Sequence, residues 1–157
     1  MTIAICDLRE RPEFAGAVGD RIWRAWWEPQ GVPLSYIVGR IETEDLAEGA
    51  IPFALVAHEG DTFAGTASVI VDDLEERPQY TPWIAAVWVD PQFRSRGIGG
   101  ELVNRAAAGA FAAGFQRVYL NALKRRTSFY EGLGWTRIEE DVGKAAVSVF
   151  IRDVPVR

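Results

Sequence analysis

A run of arginines and glycines in the second half of the chain has the residue types that hold a phosphate group. It lies between an apolar, strand-like segment, Trp83 to Val89, and an amphipathic helical pattern, and it consists of Arg94, Ser95, Arg96, Gly97, Ile98, Gly99 and Gly100. Glycine lets the backbone approach a ligand closely, and the first amides of a helix have no partners within the helix. Such amides can donate hydrogen bonds to an anion, and two arginines add positive charge. We therefore predict a diphosphate site at this turn.

The spacing of the glycines argues against two common phosphate-binding loops. A dinucleotide-binding loop needs a third glycine where Leu102 stands, and a P-loop needs Lys followed by Ser or Thr where Glu101 and Leu102 follow Gly100. A glycine-rich turn with solvated arginines is the remaining alternative. The strand before the turn and the helix after it favour the anion site.

Two motifs resemble the signatures of a known enzyme family. The run Arg94 to Gly99 is similar to the Arg/Gln-x-x-Gly-x-Gly/Ala signature of the GNAT superfamily of N-acetyltransferases. The segment Phe129 to Trp135 resembles that family's aromatic-Tyr-Glu-x-x-Gly-Phe/Trp signature. The order of strands and helices over nearly the whole chain is also similar to the GNAT fold.

The resemblance implies transfer of an acetyl group from acetyl-CoA to a primary amine by direct attack, with no metal. Tyr130 would be the catalytic residue, because a phenol beside the sulfur can protonate the departing thiolate. The alternative is a tyrosine that only packs its helix onto the sheet. The implied contacts of coenzyme A are Val87, Trp88, Val89, Arg94, Ser95, Arg96, Gly97, Ile98, Gly99, Gly100 and Asn121. The strand carrying Val87 to Val89 would splay from its neighbour, and one of its N–H groups would polarise the thioester carbonyl.

The sequence names neither a general base nor an amine acceptor. The segments Trp83 to Val89 and Val118 to Ala122 contain no carboxylate, so a water relay is one alternative. Asp72 and Asp73 could bind a cationic acceptor or act through water, or could be solvated turn residues. The resemblance places the first helices beside the acceptor, and aromatic faces attract cations, so we predict that the acceptor site also includes Trp26, Trp27, Tyr36 and Trp83. The alternative is that most of the tryptophans are core residues. Residues 124–126, all basic, could meet the ribose phosphate or could be a solvated run.

Apolar periodicity and turn residues predict an α+β fold with helices on both faces of a sheet. The resemblance adds that the sheet is mixed, mostly antiparallel, and has about six to seven strands. The predicted strands are Thr2 to Leu8, Phe53 to His58, Thr62 to Val71, Trp83 to Val89, Val118 to Ala122, Thr136 to Glu139 and Ala145 to Ile151. The predicted helices run from near Phe14 to Glu28, from about Leu34 to Leu46, from Gly97 to Gly114, and around Ser128 to Leu133.

Composition limits the classes of function. The 157 residues, 48% of them hydrophobic and 25% charged, predict a single globular domain over residues 1–157. A net charge of -5 argues against nonspecific nucleic-acid binding. The first residues do not resemble a signal peptide and no apolar run approaches roughly 20 residues, so we expect a cytoplasmic protein without membrane partners. Cys6 is the single cysteine and His58 the single histidine, which predicts neither an internal disulfide nor a metal site.

Two kinds of function remain open from the sequence. The first is an N-acetyltransferase acting on a small-molecule or peptide amine, and its acceptor would be set by the first helices and the loop Asp72 to Pro82. The second is a noncatalytic acyl-CoA-binding domain that senses the cofactor or supports a partner. Tyr130 favours the enzyme, because a sensor would not need it. Edge strands and apolar tryptophans are compatible with a homodimer.

Overall fold

The computed structural model describes residues 2–156, with a seven-stranded sheet at the centre. Met1 and Arg157, the ends of the predicted domain, lie outside the described residues. The strands are β1 (Ala4–Asp7), β2 (Phe53–Glu59), β3 (Thr62–Ile70), β4 (Trp83–Val89), β5 (Arg117–Ala122), β6 (Thr136–Val142) and β7 (Val147–Asp153). Their order across the sheet is β1-β2-β3-β4-β5-β7-β6, and only β4 and β5 are parallel. The predicted mixed, mostly antiparallel α+β fold is confirmed.

Within residues 2–156, four α-helices flank the sheet. They are α1 (Ala15–Ile22), α2 (Leu34–Arg40), α3 (Ile98–Ala112) and α4 (Thr127–Gly132). α1 and α2 each continue into one wider π-helical turn, Trp23–Trp27 and Ile41–Asp45. Short 3₁₀ turns occupy Leu8–Glu10, Pro12–Phe14, Glu28–Gln30, Pro91–Phe93 and Lys124–Arg126.

The strand β2 shows why helices cover both faces of the sheet. Successive side chains of a strand point to opposite faces. Phe53 and Leu55 pack on one face in a buried cluster with Leu102, Val103, Ala106 and Ala110 of α3. Ala54 and Val56 pack on the other face with Val18, Ile22, Ile37 and Ile41 of α1, α2 and its extension. Burying one such Leu or Val side chain contributes about 2 kcal/mol, so the two clusters hold α1, α2 and α3 against the sheet.

The predicted strand ends were least accurate in the last hairpin. We predicted that β6 ends at Glu139 and that β7 begins at Ala145. The structure extends β6 to Val142, which pairs with Val147. The turn itself is tight, with Gly143 at φ +71° and Ala146 donating its N–H to the Gly143 carbonyl. The alternation breaks because β6 contains two irregularities in its register with β7.

Candidate functional site

The parallel strands β4 and β5 pair at one position and then separate. Trp83 lies opposite Tyr119, and the Tyr119 N–H donates to the Pro82 carbonyl at 3.0 Å. β4 carries a bulge directly beyond this point, where Ala86 has a φ of +55° and the register with β3 shifts. A bulge bends its strand. The result is a wedge between β4 and β5, which confirms the splay that the resemblance implied.

The wedge opens into a cleft of about 1320 Å³. Pockets for a single small ligand usually measure about 300–1,000 Å³, so this cleft has room for a cofactor and an acceptor together. The predicted site residues that line it are Trp26, Trp27, Asp72, Asp73, Val87, Trp88, Val89, Arg94, Ser95, Gly97, Ile98, Gly99, Gly100, Asn121 and Tyr130. The structure therefore brings most of the predicted site residues into one cavity.

The turn between β4 and α3 has the backbone geometry of an anion site. Ser95 and Gly97 both have a positive φ, +66° and +78°, and α3 begins at the next residue, Ile98. Alternation of left-handed and right-handed residues forms a concave nest of N–H groups that binds anions. The first turn of a 15-residue helix adds the positive end of its dipole.

The two arginines of this turn have different surroundings. Arg94 lines the cleft, donates from Nε to the Val89 carbonyl at 2.8 Å, and lies 4.8 Å from the centre of the Trp88 ring. The Arg96 guanidinium lies over the Phe93 ring and 3.9 Å from a Glu59 carboxylate oxygen. Arg96 does not line the cleft. The Arg96 side chain therefore lies near the acidic end of β2, and its contact with the cofactor stays a prediction.

Tyr130 stands on α4 with its ring against the core. Its ring centre lies 5.0 Å from that of Phe129 and 5.9 Å from that of Phe150, and it lines the cleft. Burial raises the pKa of the Tyr130 phenol above its ordinary value, and the nearby charge of Arg126 only partly opposes this. The phenol therefore keeps its proton through the neutral pH range and can act as a proton donor.

Asp73 and Asn121 meet at the closed end of the wedge. Asp73 follows β3, Asn121 lies on β5 two residues beyond Tyr119, and β4 separates these two strands in the sheet. The Asn121 amide donates from Nδ2 to Asp73 Oδ2 at 2.8 Å. Solvent reaches the Asp73 side chain through the cleft, but protein surrounds the carboxylate on most sides. This desolvation raises the pKa of Asp73 to about 6, although the Asn121 hydrogen bond acts in the opposite direction.

A second carboxylate in the cleft, Asp45, was missed by the sequence analysis. It lies on the π-helical extension of α2, where burial and then the charge of Glu44 raise its pKa to about 6, while Arg40 opposes them. Arg40 is itself paired with Glu44, with Nε and Oε2 2.9 Å apart. The available signal was the place of Asp45 between Ile41 and Leu46, two apolar positions of the helical pattern.

Apolar side chains form part of the cleft rim. Trp26, Val71, Leu123 and Phe129 are large hydrophobic residues that are exposed and line the cleft. Arg125 and Arg126 line it too, whereas the third basic residue of their run, Lys124, pairs with Asp141 at 2.9 Å. The rim therefore offers both apolar and cationic groups to a ligand.

Two predicted acceptor residues lie elsewhere. Trp83 is fully buried, packs against both Tyr80 and Tyr119, and donates its indole N–H to the Tyr80 carbonyl at 2.7 Å. It occupies the one position at which β4 is paired on both sides, so it is core and the prediction is wrong. Tyr36 is 53% exposed and does not line the cleft, because α2 turns the next residue, Ile37, to the core instead. A part for Tyr36 in the acceptor site stays a prediction.

Neither a metal nor a membrane-spanning site is visible in residues 2–156. In this range no three His, Cys, Asp or Glu side chains are grouped so that they could hold a metal ion. The one histidine, His58, is buried, stacks on Phe14, and places Nδ1 2.9 Å from the Gly60 carbonyl oxygen. Over the same range, no helix has both the length and the apolar character to cross a bilayer.

This chain is similar to known acetyltransferases in sequence and in fold. A sequence model of the acetyltransferase (GNAT) family matches residues 18–135. Among solved structures, yncA of Salmonella typhimurium with its cofactor acetyl-CoA is 19% identical over 99% of this chain and 95% of its own, with a TM-score of 0.73. An acetyltransferase of the GNAT family from Streptococcus pneumoniae is 16% identical over 98% and 100%, with a TM-score of 0.72. An aminoglycoside 6'-N-acetyltransferase complexed with coenzyme A is 19% identical over 100% and 99%, with a TM-score of 0.70. A search of curated proteins found no match.

Proposed function

The chain belongs to the acetyltransferase (GNAT) family, and on this basis we propose that it transfers the acetyl group of acetyl-CoA to a primary amine by direct attack. One observation carries the proposal. A single cleft joins the anion-binding turn before α3, the wedge between β4 and β5, and the Tyr130 phenol. These are the three parts that a diphosphate, an extended thioester arm and a leaving thiolate would each need.

The cofactor is proposed to lie along the cleft from the turn to the wedge. Its diphosphate contacts the nest from Ser95 to Gly100 and the Arg94 guanidinium, because charge-assisted hydrogen bonds to phosphate are strong. The extended arm lies against β4 at Val87 to Val89, where the strand has separated from β5. Arg125 and Arg126 supply further positive charge at the same cleft. The structural neighbours that hold acetyl-CoA or coenzyme A support this placement.

Two side chains of the cleft would move protons during the transfer, Asp73 at the start and Tyr130 at the end. Asp73 accepts one proton from the ammonium form of the acceptor, directly or through water, and passes it to solvent. The neutral nitrogen then forms a bond to the thioester carbonyl carbon, and the electron pair of the carbon–sulfur bond leaves on sulfur. Tyr130 gives its proton to that sulfur, and a proton from the acylated nitrogen restores the phenol. The products are an amide, the free thiol of coenzyme A, and one released proton.

The acceptor is proposed to be a small-molecule or peptide amine that carries positive charge. Trp26 and Trp27 offer aromatic faces, and Asp45, Asp72 and Asp73 offer carboxylates in the same cleft. Asn121 contributes by holding Asp73, because one of its N–H groups is engaged in that bond. A cytoplasmic location and a homodimeric state stay predictions.

The proposal is tested by mixing the purified chain with acetyl-CoA and a panel of amines. The panel should include a diamine, an aminoglycoside, and peptides with a free N-terminus or lysine. Release of free thiol is followed, and mass spectrometry identifies the acetylated amine. Burial raises the pKa of the Cys6 thiol, which makes this thiol less reactive. A control without amine measures its remaining reaction with the thiol reagent, and this background is subtracted.

The outcomes separate the two functions left open by the sequence. Amine-dependent thiol release with an acetylated product supports the transferase. Tight binding of acetyl-CoA without thiol release from any amine supports the noncatalytic acyl-CoA-binding domain instead. Absence of acetyl-CoA binding contradicts both.

A further inference from the structure

A buried carboxylate stands at the start of the anion-binding turn. Asp90 directly follows β4, is 5% exposed, and donates its backbone N–H to the Ala64 carbonyl at 2.8 Å. Its Oδ1 accepts from Arg21 Nε at 2.9 Å and from Trp88 Nε1 at 2.8 Å, and its Oδ2 accepts from Arg21 Nη2 at 3.1 Å. A bidentate arginine and an indole therefore hold this carboxylate in one orientation.

Arg21 is fixed as firmly as the carboxylate it binds. Its Nη1 donates to Asp20 at 2.6 Å, and its guanidinium carbon lies 5.2 Å from the centre of the Phe63 ring. Arg21 belongs to α1, on the face of the sheet opposite α3. The ion pair with Asp90 thus joins α1 to the end of β4.

The network continues from Asp90 through Trp88 to the cleft. Trp88 lines the cleft, and the Arg94 guanidinium stacks on its ring with 4.8 Å between the guanidinium carbon and the ring centre. Arg94 is held a second time by its Nε bond to the Val89 carbonyl. These two contacts use the ring face and Nε, so they leave the terminal amino groups of Arg94 for a phosphate.

A contribution to stability does not by itself explain the ion pair between Arg21 and Asp90. Taking two charges out of water costs about as much as their attraction returns, and apolar residues of similar size often serve as well. The pair does have an electrostatic use here, because Asp90 stands four residues before Arg94. An uncompensated carboxylate there would oppose the binding of an anion, and Arg21 neutralises it.

We propose that Arg21 and Asp90 are positioning residues that fix the Trp88 indole, and that Trp88 in turn orients Arg94 to grip the cofactor's diphosphate. This inference rests on the proposed function, since it assumes an acyl-CoA ligand at the turn. It assigns to α1 a part in cofactor binding although Arg21 itself does not line the cleft.

A double-mutant cycle on acetyl-CoA affinity tests the proposal. Arg94→Ala should weaken binding roughly 10- to 100-fold, as expected for a lost charged hydrogen bond. Trp88→Leu removes the ring and should weaken binding about three- to fivefold in the wild-type background. The same change should have no further effect in the Arg94→Ala background. Trp88→Phe keeps a ring for the stack but loses the Nε1–H that Asp90 holds, so it should weaken binding about threefold, and again only while Arg94 is present.

The outer end of the network is tested in the same way. Arg21→Met should weaken acetyl-CoA binding about threefold, and again only while Arg94 is present. In turnover assays this variant should raise KM for acetyl-CoA and leave kcat within about twofold, which a merely destabilised fold would not do. Arg11→Ala is the matched control, because Arg11 also stacks on an aromatic ring, Phe14, but lies away from the cleft.

The results distinguish failure of this inference from failure of the proposed function. If the wild type does not bind acetyl-CoA, the proposed function is wrong. If it binds, and Trp88→Leu or Arg21→Met weakens binding equally in both backgrounds, Trp88 contacts the ligand independently of Arg94 and the positioning role is overturned. If either variant melts too low to assay, the Trp88→Phe variant decides, since wild-type affinity there contradicts positioning through the Asp90 hydrogen bond.

Discussion

Replacing Asp73 by asparagine should make the protein more stable and less active. The amide has the shape of the carboxyl group, and its oxygen can still accept the hydrogen bond from Asn121. It cannot take a proton from an amine. The folded structure raises the pKa of Asp73 from its ordinary 3.8 to about 6, so ionising this group costs free energy in the folded state.

Asp73 changes the stability with pH because its carboxyl group ionises at a lower pH in the unfolded chain than in the folded protein. Below pH 3.8 the carboxyl group is protonated in both states, and its contribution to stability is fully present. As the pH rises from 3.8 towards 6, the unfolded chain loses its proton first and is favoured. Over this window the ionisation of Asp73 therefore destabilises the wild type progressively, and the Asp73→Asn variant lacks this contribution.

Solvent limits how much the Asp73→Asn substitution can add to the free energy of unfolding. A pKa raised from 3.8 to about 6 corresponds to about 3 kcal/mol at most. Because solvent reaches the Asp73 side chain through the cleft, we discount this to about 1 kcal/mol. For a chain of this length, that gain raises Tm by about 2–4 °C near pH 7.

Urea unfolding followed by tryptophan fluorescence measures the difference between the two proteins from pH 4.5 to 7.5. The stabilisation should shrink as the pH falls, while Asp61→Asn, on the surface away from the cleft, stays within about 0.5 kcal/mol of wild type. In turnover assays, wild-type kcat/KM should rise through about pH 6, and Asp73→Asn should lose roughly 10²-fold in kcat. A variant less stable than wild type at pH 7.5 would refute the burial argument. A stabilised variant with wild-type turnover would show that Asp73 is not the base.

Three further predictions concern the cofactor and the leaving group. Tyr130→Phe should lower turnover roughly 10²- to 10⁴-fold and change acetyl-CoA affinity little by calorimetry; turnover within a few fold of wild type would leave Tyr130 as a packing residue. Gly99→Ala places a Cβ 3.6 Å from Val89 Cγ2 and 3.8 Å from Phe129 Cζ, which the fold tolerates but which narrows the cleft. Its acetyl-CoA affinity should fall about tenfold without loss of Tm, whereas Gly16→Ala, with open space around the added carbon, should bind normally. Acetyl-CoA at 100 times its Kd should stabilise the chain by about 2.7 kcal/mol, and NAD should not; the reverse result would overturn the cofactor assignment.

The central strands and the turn were predictable because local rules determine them. β2 and β3 are two largely apolar runs joined by the turn at Glu59 to Asp61, and β4 was predicted with its observed ends. Gly97 and Gly114, both with positive φ, mark the two ends of α3 as helix-boundary glycines do. The cofactor turn could be recognised because all its parts are consecutive in sequence.

Residues whose role depends on distant partners could not be predicted. Trp83 is buried by the single β4–β5 pairing, which no local pattern reveals. Arg94 and Arg96 are alike in sequence, but one stacks on Trp88 and the other lies near Glu59, a residue more than thirty positions earlier. Asp45 reaches the cleft because α2 continues into a wider turn, a change of helical pitch that apolar periodicity does not encode.

The single paired position between β4 and β5 also bears on how the molecule opens and closes. It divides the sheet into two contiguous stretches of chain, residues 4–89 and 117–153, which share one ladder position and are bridged by α3. Two such stretches are natural units of cooperative local unfolding, and the amides along the wedge should exchange with solvent deuterium sooner than those inside either unit. A ligand that fills the wedge occupies the place of the missing ladder. Its binding then stabilises the contact between the two units. The amides of β4 and β5 should therefore become protected from exchange together when the cleft is filled.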